Sequence, residues 1–317
     1  MLIVSLILVS ALLLDYLLGE TRFFHPLVGF GKLTSYLEKK INNKNYSNQM
    51  KKIMGIIGWI CLVLPLPIIY FLLHQQTLTF YIIDALVLYF AVGLNSLKQH
   101  ALNIFNPLES GNLNQARSAV AMIVSRQTDE LSEKEISRAT VESVLENGHD
   151  AVIASLFWFV IGGAPLVIIH RFSNTLDAMW GYRTERFNQF GWFSAKFDDL
   201  IGWPSAKVSA LCYVLGQSFN LKKIAMAFEN AKSQGRGYKS LNGGWVMSAG
   251  ASILNIKLGG SAVYNSQRVD SVLLGCGQSV LVKDIKRSVS LVERASYFFT
   301  FIVLLIALLT EGFTTWL

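Results

Sequence analysis

Charge is scarce in this chain: Asp, Glu, Lys and Arg make up 15% of its 317 residues, against 52% hydrophobic residues. Soluble domains carry roughly 25% charged residues, so an ordinary soluble protein is excluded. Cysteine is nearly absent as well. Cys61, Cys212 and Cys276 are odd in number, far apart and set among apolar residues or glycine. That pattern excludes a disulfide framework and a thiolate metal site. The net charge is +7, yet no Lys/Arg block interleaved with stacking aromatics occurs, so nucleic acid is not indicated. A membrane surface or an anionic substrate accounts better for the charge. A Walker-type phosphate loop, internal repeats and low-complexity tracts are also lacking.

What the chain does have is long apolar sequence. Met1 to Leu18, Ile53 to Leu73, Phe80 to Leu97, Ala151 to Ile169 and Ala295 to Leu309 are each almost uninterrupted. Each is near the roughly 20 residues that a helix needs to cross the hydrocarbon layer. The spacing predicts an all-α fold: a multi-spanning integral membrane helical protein, one membrane-embedded domain over 1–317, with a cytoplasmic helical and loop region. The first run has no basic segment before it and no small-residue cleavage site after it, and is read as a retained span.

Glu20 to Lys52 is rich in Lys and Arg, which predicts a cytoplasmic loop and an outer N-terminus. The short "HQQTLT" then suits the outer side, and the third span returns the chain to the cytoplasm at Lys98. Residues 98–150 and 171–294 are accordingly predicted to be cytoplasmic catalytic regions. In the first of them, "NLNQARSAVAMIVSR" reads as a helix after an Asn cap, and "LSEKEISRATVESVLEN" starts with the capping-box pair Ser132 and Glu135. Gly162-Gly163-Ala164-Pro165 interrupts the run Ala151 to Ile169, which predicts a re-entrant or shielded segment. Both polar flanks of that run would then face the cytoplasm and one site.

Glu142, Glu146 and Asp150 recur at i, i+4 and i+8, so a continuous helix would place them on one face beside Asn147. Such a face is either solvated or a set of hard oxygens suited to Mg²⁺. On the other flank, Asn174 and Asp177 share a helix face, followed by Tyr182, Arg183 and the pair Asp198 and Asp199. Caps and salt bridges are the structural alternative there. Ser233 to Trp245 mixes Gly, Ser, Asn, Arg and Lys as phosphate-cradling loops do. His25 reads as a hydrogen-bonded structural residue, whereas Asp15, inside an apolar run, needs a partner.

Asp15 with "HPLVGFGKL", then "RATVESVLENGHD", "NTLDAMWGYR", "FGWFSAKFDDL", the Ser-Asn-Gly-Gly loop and "LGGSAVY" follow one another over nearly the whole chain. This succession resembles the adenosylcobinamide-phosphate synthase family of cobalamin biosynthesis, of the CobD/CbiB type. The chain departs from it at Ser125-Arg126-Gln127-Thr128, where the family usually has Gly-Arg-Asp-Thr. The resemblance implies an ATP-dependent amide-bond-forming ligase in the cell (inner) membrane, working with ATP and Mg²⁺ on its cytoplasmic side. It would join adenosylcobyric acid, a corrinoid, to aminopropanol phosphate or ethanolamine phosphate, giving adenosylcobinamide phosphate.

On that reading Glu146, Asp150 and Asp177 are catalytic and hold Mg²⁺, and Asn147 and Asn174 orient substrate. Arg126, Arg183 and Lys239 receive phosphates, and Tyr182, Asp198, Asp199, Ser240 and Asn242 line the site. Trp158, Trp180 and Tyr182 are candidates for stacking on a flat ligand. The partners are the two substrates and the lipid bilayer, with no nucleic acid. Two other readings use the same residues: a catalytically degenerate membrane regulator of this fold, and a transporter suggested by Asp15 and the Gly-Pro break.

Overall fold

The computed structural model describes residues 1–21, 25–264 and 267–314, with the side chains of 261–269 and 312–314 outside the description. Arg22, part of the basic loop, lies outside the described residues. In chain order the helices are α1 (Leu2–Leu18), α2 (Pro26–Ile41), α3 (Asn48–Val63), α4 (Pro65–Leu73), α5 (Leu78–Ala91), α6 (Leu94–Glu109), α7 (Leu113–Val120) and α8 (Glu133–Asn147). A π-helical segment (Gly148–Ile153) leads into α9 (Ala154–Trp180), followed by α10 (Trp192–Leu215), α11 (Leu221–Gln234), a 3-10 turn (Gly235–Gly237) and α12 (Leu241–Leu254). Strands β1 (Ile256–Tyr264), β2 (Gln267–Gly275) and β3 (Gln278–Ser279) precede α13 (Lys283–Thr314).

Among the described residues, four helical stretches are long and apolar enough to cross a membrane: Asn48–Leu73, Leu78–Glu109, Glu133–Trp180 and Lys283–Glu311, beside the shorter Leu2–Leu18. Their outer faces carry bare apolar side chains such as Leu13, 53% exposed, and Phe71, 70% exposed. In water such faces would be driven together; in lipid they are in their solvent. This is a helical membrane protein.

The chain divides into two compact units. The first comprises Met1–Gly93, Ala154–Gly202 and Val303–Leu317. Its core gathers Phe30, Trp59, Leu62, Val63, Leu176, Trp180 and Phe190. Phe30 stacks on Phe172 at 3.9 Å between ring centroids, and Trp180 meets Phe190 edge to face at 4.8 Å. Trp180, a stacking candidate from the sequence, is therefore spent on packing. His25 caps α2, its Nδ1 accepting from the Leu27 amide at 3.3 Å, in keeping with the structural reading. Helix α9 breaks where the Gly-Gly-Ala-Pro sequence predicts: Gly162 and Gly163 leave helical geometry, and Gly163 has φ 63°, a conformation that favours glycine.

The second unit comprises Leu94–Ile153 and Trp203–Ile302. The Ser132 and Glu135 capping box forms as predicted at the start of α8. Asn112 caps α7, but that helix ends at Val120 instead of continuing to Arg126. The chain turns there, and Arg126 reaches back to Glu142. The sheet, order β2-β1-β3, was not foreseen, because Gly259 and Gly260 make the strand sequence read as loop. Gln234 fastens it: its Oε1 accepts from the Gly275 amide at 2.6 Å and from Ser248 Oγ at 2.8 Å.

Candidate functional site

The residues singled out in the sequence fall into two groups, one in each unit. In the second unit, Glu142 does not join Glu146 as an open acidic face. Its Oε2 pairs with Arg126 Nη2 at 3.0 Å and its Oε1 accepts from the Gly259 amide at 2.8 Å. Arg138 Nη1 donates to the Gly259 carbonyl at 2.9 Å. This network ties α8 to β1, so Arg126 is already engaged by a carboxylate within the fold.

Glu146 turns toward the first turn of α12. A Cβ on Gly243 would come within 2.6 Å of Glu146 Oε1, so the carboxylate lies against a backbone that glycine alone leaves open. Ser240 caps this helix, its Oγ accepting from the Gly243 amide at 3.1 Å. The expected phosphate loop is thus the N-terminus of a helix, with Asn242 buried in its first turn and Lys239 exposed just before it. Free backbone amides and the helix dipole make such an end favourable for anions. Asn147 is exposed and bends back to its own helix, donating to the Ser143 carbonyl at 2.9 Å.

Asp150 leaves the face of Glu142 and Glu146 because α8 passes into the π segment, whose wider turn changes the angular spacing. Tyr213 Oη donates to the Leu145 carbonyl at 2.8 Å where the spacing changes. Asp150 Oδ1 lies 3.4 Å from His149 Nε2, and His149 Nδ1 lies 2.9 Å from Ser209 Oγ. Neither His149 nor Ser209 was singled out from the sequence. Sixty positions separate them, and nothing local marks the pairing.

In the first unit, α9 and α10 bring together Asn174, Asp177, Asp198 and Asp199. Asn174 hydrogen-bonds Asp198, and Arg171 Nη1 donates to Asn174 Oδ1 at 3.3 Å. Asp198 keeps a partly accessible surface although protein crowds it on most sides. Burial, then the charges of Asp177 and Asp199, push its carboxyl up to about 8, while Asn174 and Arg171 oppose the shift. Tyr182 and Arg183 follow α9 and are exposed. The Arg186 guanidinium binds Glu38 through both Nε and Nη2, and the Arg186 carbonyl accepts from Asn42. These contacts anchor the flank at the C-terminal end of α2, beside the basic loop.

Among the described residues, no three His, Cys, Asp or Glu side chains converge so as to enclose a metal ion alone. Mg²⁺ does not require such an enclosure, being commonly held by one or two carboxylates plus phosphate oxygens and water. The crowded Asp177, Asp198 and Asp199 fit that donor set, since a cation relieves the repulsion that raises Asp198. Glu146 and Asp150 are each drawn into local contacts of the second unit.

The family profile described as "CobD/Cbib protein" matches residues 8–292. The chain belongs to the CobD/CbiB family. A protein named "Cobalamin biosynthesis protein CobD" from Stutzerimonas stutzeri is 42% identical over 289 residues, 91% of this chain and 93% of that protein. Its namesake from Chromobacterium violaceum is 41% identical over 308 residues, 96% of this chain and 97% of that protein. One from Halalkalibacterium halodurans is 35% identical over 291 residues, 90% and 91% of the two chains. No solved structure matches. The match to the CobD/CbiB profile takes in both residue groups described above.

Proposed function

We propose that this membrane protein acts in cobalamin biosynthesis as the ATP-dependent ligase that joins adenosylcobyric acid to aminopropanol phosphate or ethanolamine phosphate. Family membership and the relatives' names support the pathway. The observation that carries the chemistry is the Asp177, Asp198 and Asp199 grouping, crowded carboxyls that resist ionising together and that a magnesium-bound polyphosphate would suit.

A free carboxylate is a poor acyl donor because oxide is a poor leaving group. ATP would supply the activation: the carboxylate oxygen would take a phosphoryl or adenylyl group as the P–O bond to ADP or pyrophosphate breaks, and the amine would then displace the phosphate side from the acyl carbon with loss of the amine proton. One or two of the carboxylates Asp177, Asp198 and Asp199 would hold Mg²⁺ together with phosphate oxygens and water, and the ion would supply charge neutralisation at the phosphates. Asn174 fixes the orientation of Asp198. The first turn of α12, with Ser240, Asn242 and Lys239, is suited to an anionic substrate group, and Arg183 is exposed for a phosphate. Asp150 remains a proposed catalytic carboxylate, as does Glu146. The active site is proposed to face the cytoplasm across the inner membrane.

The test is purified protein in detergent with Mg-ATP, adenosylcobyric acid and each phosphorylated amino alcohol, analysed by mass spectrometry. Amide product that requires ATP and the phosphorylated amine is expected. Substrate binding without turnover, beside an active family member in the same assay, would favour the degenerate regulator.

A further inference from the structure

Helix α2 has two unlike sides. Phe30, Thr34 and Glu38 are buried, while Val28, Lys32, Leu33, Tyr36, Lys39 and Lys40 recur at helical spacing along the opposite, exposed side. Apolar groups and lysines share that surface with no acid among them. From residue 26 to residue 52 the chain carries six lysines and a single acid, Glu38. That acid is answered within the fold: it is buried, takes Nε and Nη2 of the Arg186 guanidinium, and accepts from Asn42 Nδ2 at 2.7 Å. The exposed side of α2 is therefore positive throughout.

Its place in the chain sets what that side meets. Helix α2 follows the apolar α1 and leads into the span Asn48–Leu73, and it is not itself one of the long apolar stretches. An amphipathic helix in that place, with bare apolar side chains set among lysines, suits the headgroup level of a bilayer. Tyr36 is 58% exposed, with the Lys40 ammonium 4.5 Å from its ring centroid, and such rings are favoured at that depth. Near the C-terminal end of α2 a cavity of about 300 Å³ opens, with Ser35, Lys39, Met179, Arg186 and Phe187 in its wall. Glu38 also reaches this wall, its charge answered by Arg186. The guanidinium is half exposed, and its Nη1 takes no part in the Glu38 pair. The cavity thus offers cations to a phosphate diester and thioether and aromatic surface to its glycerol.

We propose that the exposed side of α2, with the cavity walled by Lys39 and Arg186, binds the headgroup of an anionic phospholipid. A zwitterionic headgroup brings its own cation, which this positive surface repels, whereas the net negative charge of phosphatidylglycerol is attracted. Near a membrane surface each lysine strengthens such attraction about fivefold. The site is independent of the ligase reading and is measured without turnover.

The experiment is native mass spectrometry of the full-length protein in detergent, titrated with short-chain phosphatidylglycerol, with phosphatidylcholine of the same chains and with glycerol phosphate. Phosphatidylglycerol should bind about tenfold or more tighter than phosphatidylcholine, and glycerol phosphate should not compete with it. Lys39→Gln combined with Lys40→Gln should weaken phosphatidylglycerol binding about tenfold or more. Ser35→Leu, which fills the cavity without changing charge, should weaken it as well, and keeps the test decisive should the lysine variant fold poorly. Lys44→Gln combined with Lys51→Gln removes the same charge from the neighbouring chain and should cost less than about threefold. Equal binding of phosphatidylcholine, or affinity within twofold of the unmodified protein in either the Lys39 and Lys40 variant or Ser35→Leu, overturns the proposal. Equal loss in the two lysine pairs would replace the site with a diffuse basic surface, and full competition by glycerol phosphate would assign it to a soluble ligand; each overturns the lipid site.

Discussion

His149 Nδ1 stands 2.9 Å from Ser209 Oγ, a buried bond that joins the π segment to α10. His149 is 1% exposed and Ser209 0%. His149→Ala removes the ring and leaves the serine hydroxyl alone in the core, a loss of about 1–3 kcal/mol for the unpaired group before any cavity is counted. A clearly lower melting temperature in detergent is expected. Replacing both partners, as His149→Leu with Ser209→Ala, should recover part of the loss, because no orphaned polar group remains. An additive double variant would show that the bond contributes nothing of its own.

The parts of this fold that were legible in sequence are those decided by local chemistry. The Ser132 and Glu135 box and the glycine break in α9 each depend on a few neighbouring residues and formed where the spacing put them; the apolar runs are largely helical, but Phe80 to Leu97 divides between α5 and α6. The acidic face failed at Asp150, because the change from α to π spacing depends on distant contacts such as Tyr213 with Leu145. Ser233 to Trp245 read as a loop because its glycines lower helix propensity. Two of them are required instead by close approach, of Glu146 at Gly243 and of the Gly235 carbonyl at Gly244. The closeness of Asp198 to Asp177 could be suspected from composition, but only packing of α9 on α10 brings the charges together.

The flank after α9 is tied to the end of α2 by Arg186, Glu38 and Asn42, so Tyr182 to Arg186 should lie on the same side of the membrane as the basic α2–α3 loop. Thr184, Asn45 and Gln75 are exposed and can report on this. In a variant lacking the three native cysteines, Thr184→Cys and Asn45→Cys should resist a membrane-impermeant thiol reagent in intact cells and react in inverted membranes. Gln75→Cys should do the reverse. Labelling of Thr184→Cys and Asn45→Cys from opposite sides would overturn the assignment.

Asp198 gives stability a pH dependence whose sign follows from its shift. Its folded-state value, about 8, lies above the ordinary carboxylate range of roughly 4. The contribution is therefore fully present below about pH 4 and is lost as pH rises through about 8, while the unfolded chain ionises first. Asp198→Asn should flatten the fall in melting temperature between pH 5 and 8.5, and should melt a few degrees higher than the unmodified protein at the upper end. Added Mg²⁺ should raise the melting temperature at pH 8 only when Asp198 is intact. A variant that keeps the full pH slope would assign that slope to other groups.

Asp177 contributes the largest neighbouring charge acting on Asp198, which separates its catalytic reading from a structural one. Were Asp177 a structural anchor, Asp177→Asn would destabilise the protein; if it serves as a Mg²⁺ carboxylate, removing its charge relieves repulsion and should leave stability unchanged or improved. Loss of charge stabilisation at a transferring phosphoryl group typically costs about 10² or more in rate, far beyond what a small change in folding produces. Asp177→Asn should therefore fold normally, lose its amide-forming activity by about that factor, and need more Mg²⁺ for whatever remains. With one repelling charge gone, the pH-dependent loss of stability should also be smaller and level off at a lower pH, because Asp198 ionises more readily in the folded state. Turnover within a few-fold of the unmodified protein, measured beside an unchanged melting curve, would remove Asp177 from the reaction and leave it a neighbour that merely sets the charge of Asp198.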